Sequence, residues 1–220
     1  MKRTDYINKI KDALDGNRSV QLVGPLGVGK TTLLKQLRDD LESSKRPCFY
    51  IDLQTQSVGN GKMLWNLVES KSDKYHRTIV ILDDLDSILP LMKHDLTFVV
   101  GLEAMVSGQQ LIVVGTRTPL SSTSQYGIRL AQAMKRLVIV PLGPLDESES
   151  KNLALDLAKK QHLNLFPNFP SFTAAASGGI PGVITSVVNS NPMSQSDIET
   201  AAKRALEEMS KSIRDGRDKG

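Results

Sequence analysis

Apolar residues occur along this chain in five short runs, and the stretches between them place apolar residues at helical spacing. The runs predict strands at Ser19–Val23, Cys48–Leu53, Thr78–Leu82, Leu111–Val114 and Leu137–Val140. The third and fourth runs show no polar alternation, which is typical of strands buried on both faces of a parallel sheet. Helical spacing is found at Asp5–Leu14, Thr32–Leu41, Met63–Ser70 and Met92–Ser107. We therefore predict a three-layer α/β domain with a five-stranded parallel sheet.

The residues after Pro144 contain no strand-like run and predict only helices. These helices are expected at Asp146–Gln161, Phe166–Ser177, Val183–Asn189 and Ser196–Arg214. Asp146 with Glu149 three residues later indicates a capping box, and Ser196 is the predicted cap of the last helix. The domain prediction is an α/β domain at residues 1–143, a small all-helical lid at 144–214 and a frayed polar tail at 215–220.

Composition narrows the class of protein. The chain has 220 residues, 40% hydrophobic and 24% charged, which suits one medium α/β domain, or one such domain plus a small helical appendage. It has no apolar run of about 20 residues, and its polar N-terminus does not resemble a signal peptide. The single cysteine, Cys48, excludes an internal disulfide and a cysteine-based zinc site. We expect a cytoplasmic protein without membrane contact. The net charge of +4 permits nucleic-acid contact without requiring it.

The first predicted strand leads directly into a glycine-rich octapeptide. Its sequence, Gly24-Pro25-Leu26-Gly27-Val28-Gly29-Lys30-Thr31, fits the phosphate-binding P-loop pattern G-x-x-x-x-G-K-[ST] without a mismatch. Glycines let the backbone curl so that successive N–H groups point at one phosphate chain, and the following helix adds the positive end of its dipole. Lys30 is predicted to reach the β- and γ-phosphates, and the Thr31 hydroxyl to ligate Mg²⁺. The strand, loop and helix occur in the order that this chemistry requires.

Two carboxylates follow the third predicted strand, at Asp83 and Asp84. Ligands of open parallel sheets bind at the carboxyl ends of the strands. Asp83 is therefore predicted to hold Mg²⁺, directly or through water, together with Thr31. Asp84 is the candidate for orienting the attacking water. The alternative is that the pair only caps a strand-to-helix turn.

These motifs together resemble the AAA+ superfamily of P-loop ATPases, and within it the STAND branch of switch ATPases. The similar segments, in family order, are Val23–Leu33, Ile79–Asp84 (Walker B), Val113–Arg117 (sensor 1), Leu142–Asp146 (strand-to-lid junction) and Gly178–Gly182 (the lid's Gly-x-Pro element). The resemblance covers residues 3 to 190. It implies ATP or ADP with Mg²⁺ as ligands, and nucleotide contacts that include the P-loop, Thr32 and Pro181.

The resemblance also assigns further roles and shows departures. Thr116 and Arg117 would face the γ-phosphate, although Arg117 could instead pair with a carboxylate such as Asp84. Asp84 stands where many AAA+ ATPases have glutamate, and the shorter side chain implies slow hydrolysis. Arg3 belongs to only part of the family's Gly-Arg-Glu entry motif, which leaves adenine contacts near it open. An arginine finger could be supplied by Arg129 or Arg136, each of which is otherwise a surface arginine.

The use of the ATP is left open between three readings. The first is a nucleotide-controlled switch that assembles with itself or with partner proteins, in which ATP bridges the sheet and the lid. The second is a DNA-associated helper ATPase, supported by the basic excess and by clusters at Lys71–Arg77 and around Lys203 and Arg204. The third is a scaffold that binds ATP without turning it over. The chain is either an excised nucleotide-binding core or a protein that recruits other chains.

Overall fold

The computed structural model describes residues 2–55, 62, 65–66, 69–70, 78–88, 97–107, 110–120, 131–132 and 134–218, with side chains up to residue 213. It divides into two compact units. The sheet unit comprises Thr4–Gly24 and Lys30–Leu142, and the helical unit comprises Met1–Arg3, Pro25–Gly29 and Gly143–Gly220. The crest of the glycine-rich loop, Pro25–Gly29, is thus grouped with the helices, whereas Gly24 and Lys30 on either side are grouped with the sheet.

The sheet unit is built on five parallel strands, as the sequence predicts. They are β1 (Val20–Val23), β2 (Cys48–Asp52), β3 (Ile79–Asp83), β4 (Ile112–Thr116) and β5 (Val138–Pro141), in the spatial order β2-β3-β4-β1-β5. Every residue of β1, β3 and β4 is buried, which agrees with their central positions and with the lack of polar alternation in the third and fourth predicted strands. Because β1, β3 and β4 are neighbours, the residues that end them come together at one edge of the sheet.

Among the described residues of the sheet unit, longer helices are α1 (Arg3–Asp15), α2 (Lys30–Ser43) and α3 (Thr97–Ser107). The buried face of α2 carries the four leucines that the sequence places on one side, Leu33, Leu34, Leu37 and Leu41. Phe98 and Leu102 of α3 belong to a separate core cluster with residues of β2, β3 and β4. Helices therefore flank the sheet, and the predicted α/β fold of a P-loop NTPase is confirmed.

The helical unit contains α4 (Glu147–Lys160), α5 (Phe169–Ser177), α6 (Pro181–Asn189) and α7 (Gln195–Asp218). They enclose a core of their own that includes Phe169, Val183 and Ile198. The predicted capping box is confirmed, because the Asp146 side chain accepts from the amide of Glu149 while the Glu149 side chain accepts from the amide of Asp146. Within the described part of the chain, no helix is long and apolar enough to cross a membrane.

The last helix begins at Gln195, one residue before Ser196, its predicted cap. Ser196 is inside α7, and the hydroxyl oxygen of Ser194 accepts from the amide of Asp197 at 3.3 Å instead. The Asp197 carboxylate in turn accepts from the amide of Met193 at 3.0 Å, the residue before Ser194, and so adds a second hydrogen bond at this helix start. The prediction of Ser196 as the cap is therefore wrong, and the helix also continues past Arg214 to Asp218.

Candidate functional site

The glycine-rich loop leaves the sheet at Gly24, whose amide donates to the carbonyl of Thr116 at 3.0 Å. Residues Pro25–Gly29 form the turn, and α2 begins at Lys30. Gly27 and Gly29 have φ values of 76° and 97°, in the left-handed region that other residues adopt at a cost. The two glycines therefore permit the tight curl that the P-loop pattern requires.

The crest of the loop contacts the start of α6 and the side of α7, all within the helical unit. The amide of Gly182 donates to the carbonyl of Gly27 at 2.9 Å. A Cβ atom at Gly27 would lie 2.7 Å from the terminal methyl of Met209, so the methionine covers the glycine directly. A Cβ atom at Gly29 would lie 3.6 Å from Pro181. Pro181, which the family resemblance places at the nucleotide, is thus next to the P-loop, and its contact with nucleotide stays a prediction.

Arg3 supports the same loop from the N-terminus. Its Nη2 donates to the carbonyl of Val28 at 2.7 Å, and its backbone amide donates to Oε1 of Glu149 at 2.9 Å. The carbonyls of Gly27 and Val28 are both engaged by protein donors in this way. Arg3, whose adenine contact the sequence leaves open, therefore has a structural role at the loop.

Lys30 is the lysine of the P-loop pattern and is only 8% exposed. Its Nζ donates to the carbonyl of Gly24 at 2.6 Å. Burial lowers the pKa of Lys30, and the nearby carboxylates of Asp86, Asp84 and Asp83 oppose this lowering. The cation is thus held in a desolvated position, where a phosphate group would gain strongly from it.

Asp83 ends β3 and is 1% exposed. Its Oδ2 accepts from the phenol of Tyr50 at 2.8 Å, while Oδ1 is buried without a hydrogen-bond donor among the described residues. A Cβ atom at Gly115 would lie 3.0 Å from that Oδ1, so the absence of a side chain at Gly115 leaves room for the carboxylate. A buried carboxylate oxygen that accepts no hydrogen bond suits a hard cation such as Mg²⁺. Asp83 therefore fits the predicted metal, and the ligand roles of Thr31 and Asp83 stay predictions.

Asp84 and Asp86 extend the acidic group into a single turn of 3-10 helix at Leu85–Ser87. Asp84 has φ 54° and ψ 51°, a left-handed conformation that is uncommon outside glycine and that recurs at functional sites. Its side chain makes no capping hydrogen bond, so the capping alternative for this residue is not supported. Burial raises the pKa of both Asp84 and Asp86.

Thr116 and Arg117 lie at the end of β4, as predicted for a sensor strand. The Thr116 hydroxyl oxygen accepts from Nε2 of Gln21 at 3.0 Å, so this buried threonine is tied to β1. The backbone amide of Arg117 donates to Asp86 at 2.6 Å, and its Nε is buried without an acceptor among the described residues. Arg117 is thus anchored through its backbone to Asp86, and the γ-phosphate roles of Thr116 and Arg117 stay predictions.

The other candidate residues contribute less. Nη1 of Arg136 donates to the Ser107 hydroxyl at 3.0 Å on the surface, which fits a surface arginine. Arg129 and the Lys71–Arg77 cluster lie outside the described residues. Arg204 forms an exposed i,i+4 ion pair with Glu208, which is worth little energetically. Of the described residues, neither Arg136 nor Arg204 adds to the acidic residues at the end of β3.

The charge on Asp86 gives a pH-dependent prediction. Because its pKa is raised on folding, the native state holds more protons than the unfolded state between the ordinary and the raised pKa, and stability falls as pH rises through that window. We expect Asp86→Asn, whose amide oxygen can still accept from Arg117, to raise Tm at about pH 7.5 and much less near pH 4. A gain of about 1 kcal/mol would appear as roughly 2–4 °C. Thermal melts of Asp86→Asn and of the exposed Asp12→Asn would check this, and a lower Tm at the higher pH would contradict it.

Sequence reasoning missed Tyr50, Asp86, Arg3 on the loop, and Met209. The sequence does offer a signal for Asp86, since it is a third acidic residue within four positions at the predicted carboxyl end of a strand. Tyr50 is a polar aromatic residue two positions before the end of a strand, which alone does not reveal its partner. Arg3 and Met209 reach residues 25 and 182 positions away. Only the fold reveals such contacts.

Comparisons with known proteins concern the family and the fold of the chain. The family model described as ATPase family associated with various cellular activities (AAA) matches residues 20–118. No curated protein matches the chain. Among solved structures, domain III of the replication initiation protein DnaA from Thermotoga maritima is 16% identical with a TM-score of 0.63, and the match covers 91% of this chain and 90% of that one.

Two further solved structures share the fold at similar identity. The Walker-type ATPase paby2304 of Pyrococcus abyssi is 16% identical with a TM-score of 0.63, covering 99% of this chain and 74% of that one. The RuvB Holliday junction branch migration motor of Thermotoga maritima is 14% identical with a TM-score of 0.64, covering 92% and 69%. At these identities the likeness concerns the fold.

Proposed function

We propose that this chain is a nucleotide-controlled switch; residues 20–118 match the AAA ATPase family model, which supports an AAA+ ATPase of the P-loop class. In this proposal the helical unit reads the state of the phosphate-binding loop. The observation that carries the proposal is the hydrogen bond from the Gly182 amide to the Gly27 carbonyl at 2.9 Å, with Met209 covering the same glycine. The crest of the loop is thereby packed as part of the helical unit.

The ligand of the proposed switch is ATP or ADP with Mg²⁺. The backbone amides of the loop would surround the phosphates, Lys30 would contact the β- and γ-phosphates, and Thr31 with Asp83 would hold the metal. Mg²⁺, when bound, would neutralise charge on the phosphate oxygens. Asp84 would orient the attacking water, and Arg117 would stabilise charge on the γ-phosphate. The short Asp84 side chain supports slow turnover, which suits a switch that must persist in one state.

In this proposal, the contacts of the phosphate-binding loop with α6 and α7 couple the bound nucleotide to these two helices. A phosphate chain attracts loop amides inward, and any change in their orientation also moves the carbonyls on the opposite side of each peptide plane. The Gly27 carbonyl bonds the first turn of α6, and Gly27 has no side chain to separate it from Met209 of α7. Two ligands that set the loop differently, such as ATP and ADP, would therefore bias α6 and α7 differently.

Amide hydrogen exchange of the full chain, alone and with ATP or ADP in Mg²⁺, tests this coupling. We expect segments containing Gly182 and Met209 to exchange at rates that differ between the two nucleotides. Met209→Ala should reduce that difference by loosening the contact with Gly27, whereas Met193→Ala should preserve it, because Met193 is 70% exposed. Identical exchange of α6 and α7 in all three states would contradict the switch while leaving ATP hydrolysis intact.

A second candidate is a DNA-associated helper ATPase. The support is the net charge of +4 and the fold likeness to a replication initiation protein and to a branch migration motor. Light scattering with ATP, with ADP, and with ATP plus duplex DNA separates the candidates. Assembly that needs DNA and weakens steeply with salt supports the helper. Assembly with nucleotide that ignores DNA supports a switch acting on itself or on partner proteins.

A further inference from the structure

We propose that Tyr50 is a positioning residue for ATP hydrolysis, whose phenol fixes the orientation of the Asp83 carboxylate for the metal. The inference rests on the proposed Mg²⁺ ligand role of Asp83. Its central observation is the hydrogen bond from the Tyr50 hydroxyl to Oδ2 of Asp83 at 2.8 Å. No family motif in the sequence includes Tyr50.

The register of the sheet explains why this residue reaches that carboxylate. Asp52 of β2 pairs with Asp83 of β3, and Tyr50 pairs with Ile81. Residues two apart on a strand share a face, so Tyr50 lies on the same face as Asp83. The two residues are offset by two positions, about 6.6 Å along the strand. A phenol can bridge such an offset and place its hydroxyl at the carboxylate, whereas the shorter polar side chains cannot.

The tyrosine ring is itself held in place from α2. Nζ of Lys35 lies 5.9 Å from the ring centroid, and the guanidinium carbon of Arg38 lies 5.7 Å from it. Cations at these distances are attracted to the face of an aromatic ring. Since α2 begins at the P-loop residue Lys30, the helix that carries the phosphate-binding lysine also restrains the tyrosine.

The hydrogen bond selects one orientation of the carboxylate. Tyr50 occupies Oδ2, so Oδ1 is the oxygen left without a protein donor among the described residues. That oxygen lies over Gly115, where a Cβ atom would approach it to 3.0 Å. Without the phenol, the carboxylate could rotate about its terminal torsion, which is broad for aspartate. Mg²⁺ demands near-ideal octahedral geometry, so such rotation would weaken metal binding.

The phenol remains a donor under ordinary conditions. Burial, followed by the hydrogen bond to Asp83, raises the pKa of Tyr50 well above its usual value. A phenol keeps its proton near neutral pH, so the Tyr50 hydroxyl can donate to Asp83 there. The proposed effect of Tyr50 passes through this hydrogen bond.

Tyr50→Phe removes the donor and keeps the ring, so it isolates this contact. We expect the Mg²⁺ concentration for half-maximal ATP hydrolysis to rise about tenfold, as when a residue that orients a metal ligand is lost. ATP binding measured in EDTA should be unchanged. Binding supported by Ca²⁺ should be affected less than binding supported by Mg²⁺, because Ca²⁺ accepts flexible geometry. Tyr6→Phe, which removes another largely buried phenol on α1, is the matched control and should behave as wild type.

The outcomes distinguish this inference from the function on which it rests. If the wild-type chain hydrolyses ATP with Mg²⁺ and Tyr50→Phe has the same Mg²⁺ dependence, the positioning role is overturned and the ATPase stands. If Asp83→Asn has the same Mg²⁺ dependence as the wild type, Asp83 is not a metal ligand, and the proposed role of Tyr50 is overturned with it. An equal loss with and without metal in Tyr50→Phe would indicate general disruption and would also overturn the inference.

Discussion

Lys30→Met is expected to lower ATP hydrolysis by about 10²- to 10³-fold, the loss that follows removal of one electrostatic contact to the reacting group. The methionine keeps an unbranched side chain of nearly the same length and removes the ammonium group with its charge and its hydrogen bond to Gly24. Nucleotide affinity should fall as well, because the buried cation is positioned beside the phosphate-binding loop. Hydrolysis assays and nucleotide titrations of the variant measure both effects.

The fold should tolerate this change. Methionine loses the hydrogen bond to the Gly24 carbonyl, yet it also removes a cation whose pKa is lowered by burial. The lost hydrogen bond lowers the stability and the removal of a buried charge raises it, so we expect Tm to stay within roughly 3 °C of the wild type. The exposed Lys9→Met serves as the control and should retain full activity. Hydrolysis by Lys30→Met at more than a tenth of the wild-type rate would contradict the assignment.

Asp83→Asn is expected to lower Mg²⁺-dependent hydrolysis by about 10²-fold, since it replaces the proposed charged metal ligand by a neutral amide. The amide oxygen can still accept from Tyr50, so the β2–β3 packing should survive. Binding of ATP in EDTA should change little, because the loop and Lys30 are untouched. Rates measured across a Mg²⁺ titration report the effect on metal binding. ATP binding in EDTA reports the contacts to the phosphates that do not need the metal.

The sheet provides a matched control for this variant. Asp52 pairs with Asp83 across the β2–β3 ladder and lies on the same face, but its carboxylate accepts from the amide of Gln54 at 3.1 Å. Asp52→Asn should therefore hydrolyse ATP like the wild type. Equal losses in the two variants would show that negative charge at this edge, and not a metal ligand, is what matters.

The parts of this structure that depend on residues close together in the chain could be predicted from the sequence. The glycines of the loop could be assigned because the octapeptide itself requires their conformations, and Gly27 and Gly29 have positive φ as expected. The burial of β3 and β4 followed from uninterrupted apolar runs. The cap of α7 was missed because two serines flank Gln195, and only the hydrogen bond from the Asp197 amide to the Ser194 hydroxyl oxygen decides between them.

The sequence by itself determined the chemistry of the chain: a P-loop, an acidic strand end and a parallel sheet, since each is encoded by contiguous residues. The tertiary structure alone decided which residues support that chemistry. Tyr50 meets Asp83 through strand register, Arg3 meets Val28, and Met209 meets Gly27. These pairs are 25 to 182 positions apart, and no local torsion or periodicity links them, because only packing of the whole chain brings them together.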